Sequence, residues 1–332
     1  MKPLVVLLLN IFILAPLMVS PVYSFVDRGL YIITTFPSLV HDVRLLTHSS
    51  DVVESLIPYG VDPHEYQLKP SDVEKVLRAD IVVSTGHTSF EKSLKETLFE
   101  HGWRGVFIEI ISMDGVVIME NPTTHKPNYH MVVYDPYNYI VFIEKLGSEL
   151  ARLRPWLKQY YLSKTRSVVD RIYYILNNTR RIECIAVADT PLTQYAVSWT
   201  GIKVKYLVIK EHGLPASPRD LENIAYGLEK GFIDIVVVTK PIASKYSKTL
   251  VDIAHRYGRP ILYVESPLVN KSIVEKLEYI MEQLSSIDIR YSLNMGDNSL
   301  YRDIAVLATG VLLIATISSL VYSIYIGTRR RW

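Results

Sequence analysis

Short apolar runs alternate with helical stretches along most of this chain, and that alternation restricts it to parallel sheets flanked by helices. Strand-like runs occupy 30–35, 52–57, 81–84 and 106–110, with a helix read over 37–46. A long helical stretch follows from Pro136, with Ile140, Ile143, Leu146, Leu150 and Leu153 near helical spacing. Pro155 interrupts it, because proline lacks an amide proton and clashes with the preceding turn. The alternation then restarts, with strands at 182–188, 204–209, 233–239 and 260–265 and helices at 192–199, 218–230 and 243–257. A chain of 332 residues with 49% hydrophobic content is large enough for two such units.

Composition removes several function classes. The formal charge of +2 and 23 scattered tyrosines, without a basic patch, give no reason to invoke a nucleic-acid partner. The single Cys184, in an apolar run, rules out an internal disulfide and any multi-cysteine zinc cluster.

Two loops carry the chemistry. In Val61-Asp62-Pro63-His64-Glu65-Tyr66, Asp-Pro turns the chain just after a strand and leaves His64 at a strand end; Ser71 reads as the following helix N-cap, with Glu74 completing a capping box. Asn128-Tyr129-His130 repeats the arrangement, with Asp135-Pro136 opening a helix. Two histidines placed in this way suggest a metal site. His41, His48, His87, His101 and His255 read as surface or capping residues, and His125 as a solvated loop residue or a replacement ligand.

The stretch 55–66, Pro70-Ser71-Asp72 and the run Ala79-Asp80-Ile81-Val82-Val83-Ser84-Thr85-Gly86 resemble the metal-binding receptors of zinc- and manganese-type ABC importers. The likeness covers roughly 28–285. It implies two Rossmann-like α/β lobes with parallel sheets (25–135 and 179–290) joined by one long rigid helix over 136–178. It also implies a divalent transition metal, zinc or manganese, carried as cargo between the lobes by a monomeric receptor and passed to an ABC permease and its ATPase. His64 and His130 would be nitrogen donors. Glu265, in Val264-Glu265-Ser266-Pro267, stands where the family's last ligand is more often Asp. Where the family places a His or Glu five residues before an aromatic, this chain has Thr190 before Tyr195. Either the adjacent Asp189 completes an N2O2 set, or the site keeps three protein ligands and a water. An open metal position also suits a metal-dependent hydrolase, with Glu65 or the Glu211-His212 pair as nearby groups; the loss at Thr190 also suits a receptor that no longer binds metal.

The ends imply extracytoplasmic placement at the cell membrane. Lys2, an apolar stretch to Val19 and Ser24 read as a signal peptide over 1–24, with no cysteine following to carry a lipid. Residues 304–326 are uncharged and precede Arg329-Arg330-Arg331, which reads as a single C-terminal transmembrane helix on a tether at 291–303, with 327–332 cytoplasmic.

Overall fold

The computed structural model describes residues 28–287, apart from His212. Lobe one holds β1 (Tyr31–Thr34), β2 (Val52–Ser55), β3 (Ile81–Ser84) and β4 (Val106–Glu109) in the order β2-β1-β3-β4. All its pairs are parallel. Its helices are α1 (Val40–Arg44), α2 (Pro70–Leu77) and α3 (Ser89–Glu100). Alternate strand residues feed opposite faces: Ile32, Ile81 and Val83 enter the main core, while Ile33 and Val82 pack under α2 and α3.

Next come α4 (Pro136–Leu153) and α5 (Lys158–Asn178), separated by a 3-10 turn at Pro155–Leu157. Lobe two contains β5 (Cys184–Ala188), α6 (Leu192–Ser198), β6 (Ile202–Leu207), β7 (Ile209–Glu211), β8 (Leu214–Pro215) and α7 (Pro218–Lys230). It finishes with β9 (Ile235–Lys240), α8 (Lys245–Arg256), β10 (Ile261–Glu265) and α9 (Ile273–Ser286). The order β10-β9-β5-β6 is again parallel, and β7 and β8 form a small antiparallel hairpin beside it.

Three expectations need correction. The single linking helix is two helices packed on each other, since Pro155 ends the first. Arg154, at that break, turns into the protein and is held by Asp51 (2.5 Å) and the Tyr161 hydroxyl (3.0 Å). Helix α2 starts two residues earlier than the Ser71 cap implies: Lys69 is the cap, Pro70 takes the first helical position, and the Asp72 carboxylate accepts from the Lys69 amide at 2.9 Å. The transmembrane helix at 304–326 lies outside the described residues, as do 1–24 and the tether. Among the described residues no helix is long and apolar enough to cross a membrane. The longest, α5, carries Lys158, Lys164, Arg166, Asp170 and Arg171. Within the described residues the fold is therefore two α/β lobes on a helix pair.

The lobes share one continuous apolar core through α4, α5 and α9. Asp42 on α1 seals the seam: its Oδ1 accepts from the Ile273 amide at the start of α9 (2.7 Å) and from the Tyr139 hydroxyl (2.7 Å). Burial pushes the Asp42 carboxyl up to about 6 against these donors and the Lys276 charge. Burial also lowers Lys276 to about 8, opposed by Asp42. A shared core with a buried polar seam favours small lobe movements over wide hinge opening.

Candidate metal centre

In a sheet with order β2-β1-β3-β4, successive connections leave β1 in opposite directions, so a crevice opens above the carboxyl ends of β1 and β3. Three lobe-one segments converge there. His64 lies in the loop after β2, its amide donating to Asp62 Oδ1 at 2.9 Å in a tight Asx turn. His130 uses the same device, its amide donating to Asn128 Oδ1 at 3.0 Å. Asn128 in turn donates through Nδ2 to the Pro191 carbonyl and Gln194 Oε1, each at 2.9 Å, tying this loop to lobe two.

The third histidine is His87, just past the carboxyl end of β3. Ring centroids lie 5.4 Å apart for His64–His87 and 5.8 Å for both His64–His130 and His87–His130. One ring nitrogen from each lies within 4.8 Å of the others, a spacing that a metal ion can draw together. They line a cleft of about 440 Å³ with Asp62, Thr190, Glu211 and Ser266–Leu268.

His87 is the best-positioned of the three. Its ring stacks on Phe36 (5.7 Å between centroids, 17° between planes), and Nδ1 lies 2.8 Å from Thr85 Oγ1. That hydroxyl also bonds both oxygens of Glu91, at 2.9 and 2.8 Å. Glu91 is buried and receives further bonds from Thr35 Oγ1 (2.6 Å), Ser84 Oγ (2.9 Å), the Thr85 amide (2.8 Å) and the Thr88 amide (3.1 Å). Burial alone would raise its carboxyl, but these donors and His87 outweigh it and hold it below the ordinary range. An ionised Glu91 only accepts, so the single Thr85 hydroxyl proton goes to it and Thr85 accepts from His87 Nδ1–H. The imidazole tautomer is thereby fixed, with the Nε2 lone pair facing the cleft. Burial holds His87 down to about 4; Glu91 opposes that shift and the other two histidines add to it.

The carboxylates named from sequence sit elsewhere. Asp189, at the carboxyl end of β5, is 1% exposed and accepts from the Thr239 amide (3.0 Å), Thr239 Oγ1 (3.0 Å) and Ser247 Oγ (2.9 Å). Burial raises its carboxyl above the usual range, against those donors. It fastens β5 to β9 and α8. Glu265 Oε1 is paired with Lys271 at 2.8 Å, while its backbone carbonyl accepts from the Tyr134 hydroxyl. Neither belongs to the histidine group. Thr190 reaches the cleft but bonds Thr239 Oγ1 at 3.2 Å. His125 is exposed and pairs with Glu120 at 2.6 Å, away from the cluster. Glu65 is exposed, and His212 lies outside the described residues.

Sequence reasoning passed over His87 because it precedes a helix in a stretch without an Asp-Pro turn. Its signal was positional: a histidine three residues past a strand whose neighbour sends the next connection the other way. Glu211 was read from sequence only as a nearby group for a hydrolase, not as a ligand. It ends β7, and its Oε2 lies 3.2 Å from His130 Nε2.

Two parallel α/β lobes flank a cleft in which three imidazoles converge at a spacing that could hold a metal ion. The profile of the family described as "zinc-uptake complex component A, periplasmic" matches residues 32–284, and the chain belongs to that family. Its uptake components are substrate-binding proteins rather than enzymes. Among curated relatives, the metal ABC transporter substrate-binding lipoprotein SloC of Streptococcus mutans is 24% identical over 48% of this chain and 54% of its own length. The iron-binding protein YfeA of Yersinia pestis is 20% identical over 72% of this chain and 70% of its own. The chain spans about half the length of the first curated relatives it matches. Among solved structures, FpvC of Pseudomonas aeruginosa in complex with Mn2+ superposes with a TM-score of 0.62 at 19% identity, covering 81% of this chain and all of that one. A ZnuA crystal structure gives 0.60 at 16% identity, covering 78% and 97%.

Proposed function

We propose that this protein is an extracytoplasmic receptor that captures a divalent transition metal in the cleft and delivers it to an ABC permease driven by its ATPase. The observation that carries the reading is the convergence of His64, His87 and His130, with ligating nitrogens within 4.8 Å of one another, in a cleft between the lobes. Imidazole nitrogen suits zinc and its neighbours in the first transition row. Family membership and the relatives' printed names, which specify metal, manganese and iron binding, support the same assignment. The hydrolase alternative loses ground to that membership. The reading of a receptor without metal binding loses ground to His87, a third imidazole beside His64 and His130.

Equilibrium dialysis of the purified protein against zinc and manganese tests the proposal. One tightly held dication per chain, lost on chelation, is expected. No stoichiometric uptake of any first-row dication overturns it. Because ligation requires neutral imidazole, uptake weakens as the medium is acidified.

A further inference from the structure

All three histidines come from lobe one and the segment leading into α4, so the cluster by itself gives lobe two no hold on the ion. Glu211 supplies that hold. It sits at the end of β7, which starts beside the carboxyl end of β5: the Ile209 amide donates to the Asp189 carbonyl at 2.9 Å. Its two oxygens are treated differently. Oε1 accepts from Asn121 Nδ2 at 3.1 Å and Thr124 Oγ1 at 3.4 Å, and the buried Asn121 also donates to the Lys210 carbonyl at 2.8 Å. This clamp fixes the carboxylate plane and points Oε2 at His130 Nε2, 3.2 Å away.

With metal–nitrogen and metal–oxygen bonds near 2.0–2.2 Å and tetrahedral angles, two ligands of one zinc ion stand roughly 3.3 Å apart. The His130–Glu211 pair already has that spacing; Glu211 stands outside the 4.8 Å histidine group, so a small lobe movement must bring it toward His64 and His87 as the ion enters. We propose that Glu211 is the fourth ligand, contributed by lobe two across the cleft, and that it completes an N3O site for a zinc-class dication in place of donors at Thr190 and Glu265. This rests on the metal-capture reading and goes beyond it by naming the donor set. On loading, His130 Nε2 and Glu211 Oε2 each give a lone pair to the ion, so any proton held between them leaves to solvent. Three imidazoles and one carboxylate suit four-coordinate zinc better than manganese, which favours oxygen-rich six-coordinate sites.

A ligand-replacement experiment on the full chain tests it. Cobalt(II) loaded into a Glu211→Cys variant gains a thiolate-to-cobalt charge-transfer band in the near ultraviolet only if position 211 contacts the metal. The wild-type control lacks the band because its one thiol, Cys184, is buried in β5. In parallel, the isosteric Glu211→Gln change, which leaves an acceptor for Asn121, is expected to weaken zinc binding by ~10–100-fold or more, the range even an outer-shell partner can cost. A cobalt-loaded Glu211→Cys protein without the band, or Glu211→Gln with wild-type zinc affinity, overturns the inference while leaving metal capture intact. Wild-type protein that binds neither zinc nor cobalt overturns the capture reading itself.

Discussion

The two lobes carry similar sheets, yet the carboxyl-end rim of one faces the cleft with donors and that of the other consumes its donors internally. Past β3, His87 is backed by Thr85 and Glu91 and turns its remaining nitrogen outward. Past β5, the equivalent polar residue is Asp189, which spends both oxygens on Thr239 and Ser247. Position at a strand end is therefore not enough to make a ligand. What decides is whether the surrounding donors leave an electron pair unclaimed.

The sharpest way to break this contrast is to delete one donor from each rim. Removing His64 or His87 as His→Ala is expected to lower zinc affinity well beyond ~100-fold, since even outer-shell partners reach that figure. Melting of the metal-free protein should move little for His64→Ala, because His64 is exposed. Asp189→Ala should do the reverse. It strands the Thr239 amide and two hydroxyls in the interior, at about 2–3 kcal/mol of stability, and leaves zinc affinity within a few-fold of wild type. Calorimetric titration beside denaturant unfolding reads both. Loss of binding in Asp189→Ala with unchanged stability would restore Asp189 as a ligand and remove the distinction between the rims.

The same contrast separates what was legible in the residues from what was not. His64 and His130 were legible because each follows a local turn, Asp62-Pro63 and the Asn128 Asx turn, that makes a strand-end loop visible without knowledge of strand order. The parallel alternation and the Asp135 helix cap, which accepts from the Tyr137 and Asn138 amides, were legible for the same reason. His87 was not, because its meaning depends on β3 lying beside β1 at the point where the strand order reverses, a tertiary fact. The internal bonding of Asp189 was not legible either, because its three donors come from positions about fifty or more residues away. The cap of α2 was placed at Ser71 rather than Lys69 because serine is a common cap, whereas Pro70, which has no amide proton to donate, takes the first helical position.

Acid titration sharpens the comparison further, because the two buried carboxylates should respond with opposite sign. Glu91 is held below its unfolded value near 4.5, so it contributes stability above that pH, and the contribution is lost as the pH falls through its lower folded value. Asp189 is held above its unfolded value near 3.8, so the folded state takes up its proton first and wild type loses ground as the pH rises through that window. Against Glu91→Gln, the wild-type advantage in unfolding free energy should therefore grow between acid and neutral pH; against Asp189→Asn it should shrink. Glu91→Gln should also weaken zinc binding by ~10–100-fold, because the Thr85 proton loses its carboxylate acceptor and the His87 tautomer is no longer fixed. Parallel slopes for the two variants would mean that the surroundings of the two carboxylates do not differ as described.

The smallest expected effect falls on Glu265, which precedes the cleft-lining Ser266. Its side chain pairs with Lys271, itself 42% exposed, so the ion pair is partly screened and Glu265→Ala should cost no more than about 1 kcal/mol. The tie from this residue to the other lobe runs through the backbone carbonyl that accepts from Tyr134, and substitution leaves that carbonyl in place. Its second oxygen is buried without a hydrogen-bond partner, so removing it also relieves a desolvated atom. Zinc affinity should stay within about twofold of wild type, a change of under ~0.5 kcal/mol in binding. A loss at Glu265 as large as at His64 would mean that the rim of lobe two rearranges on loading to present a second carboxylate, and the division of labour between the lobes would then describe only the unloaded protein.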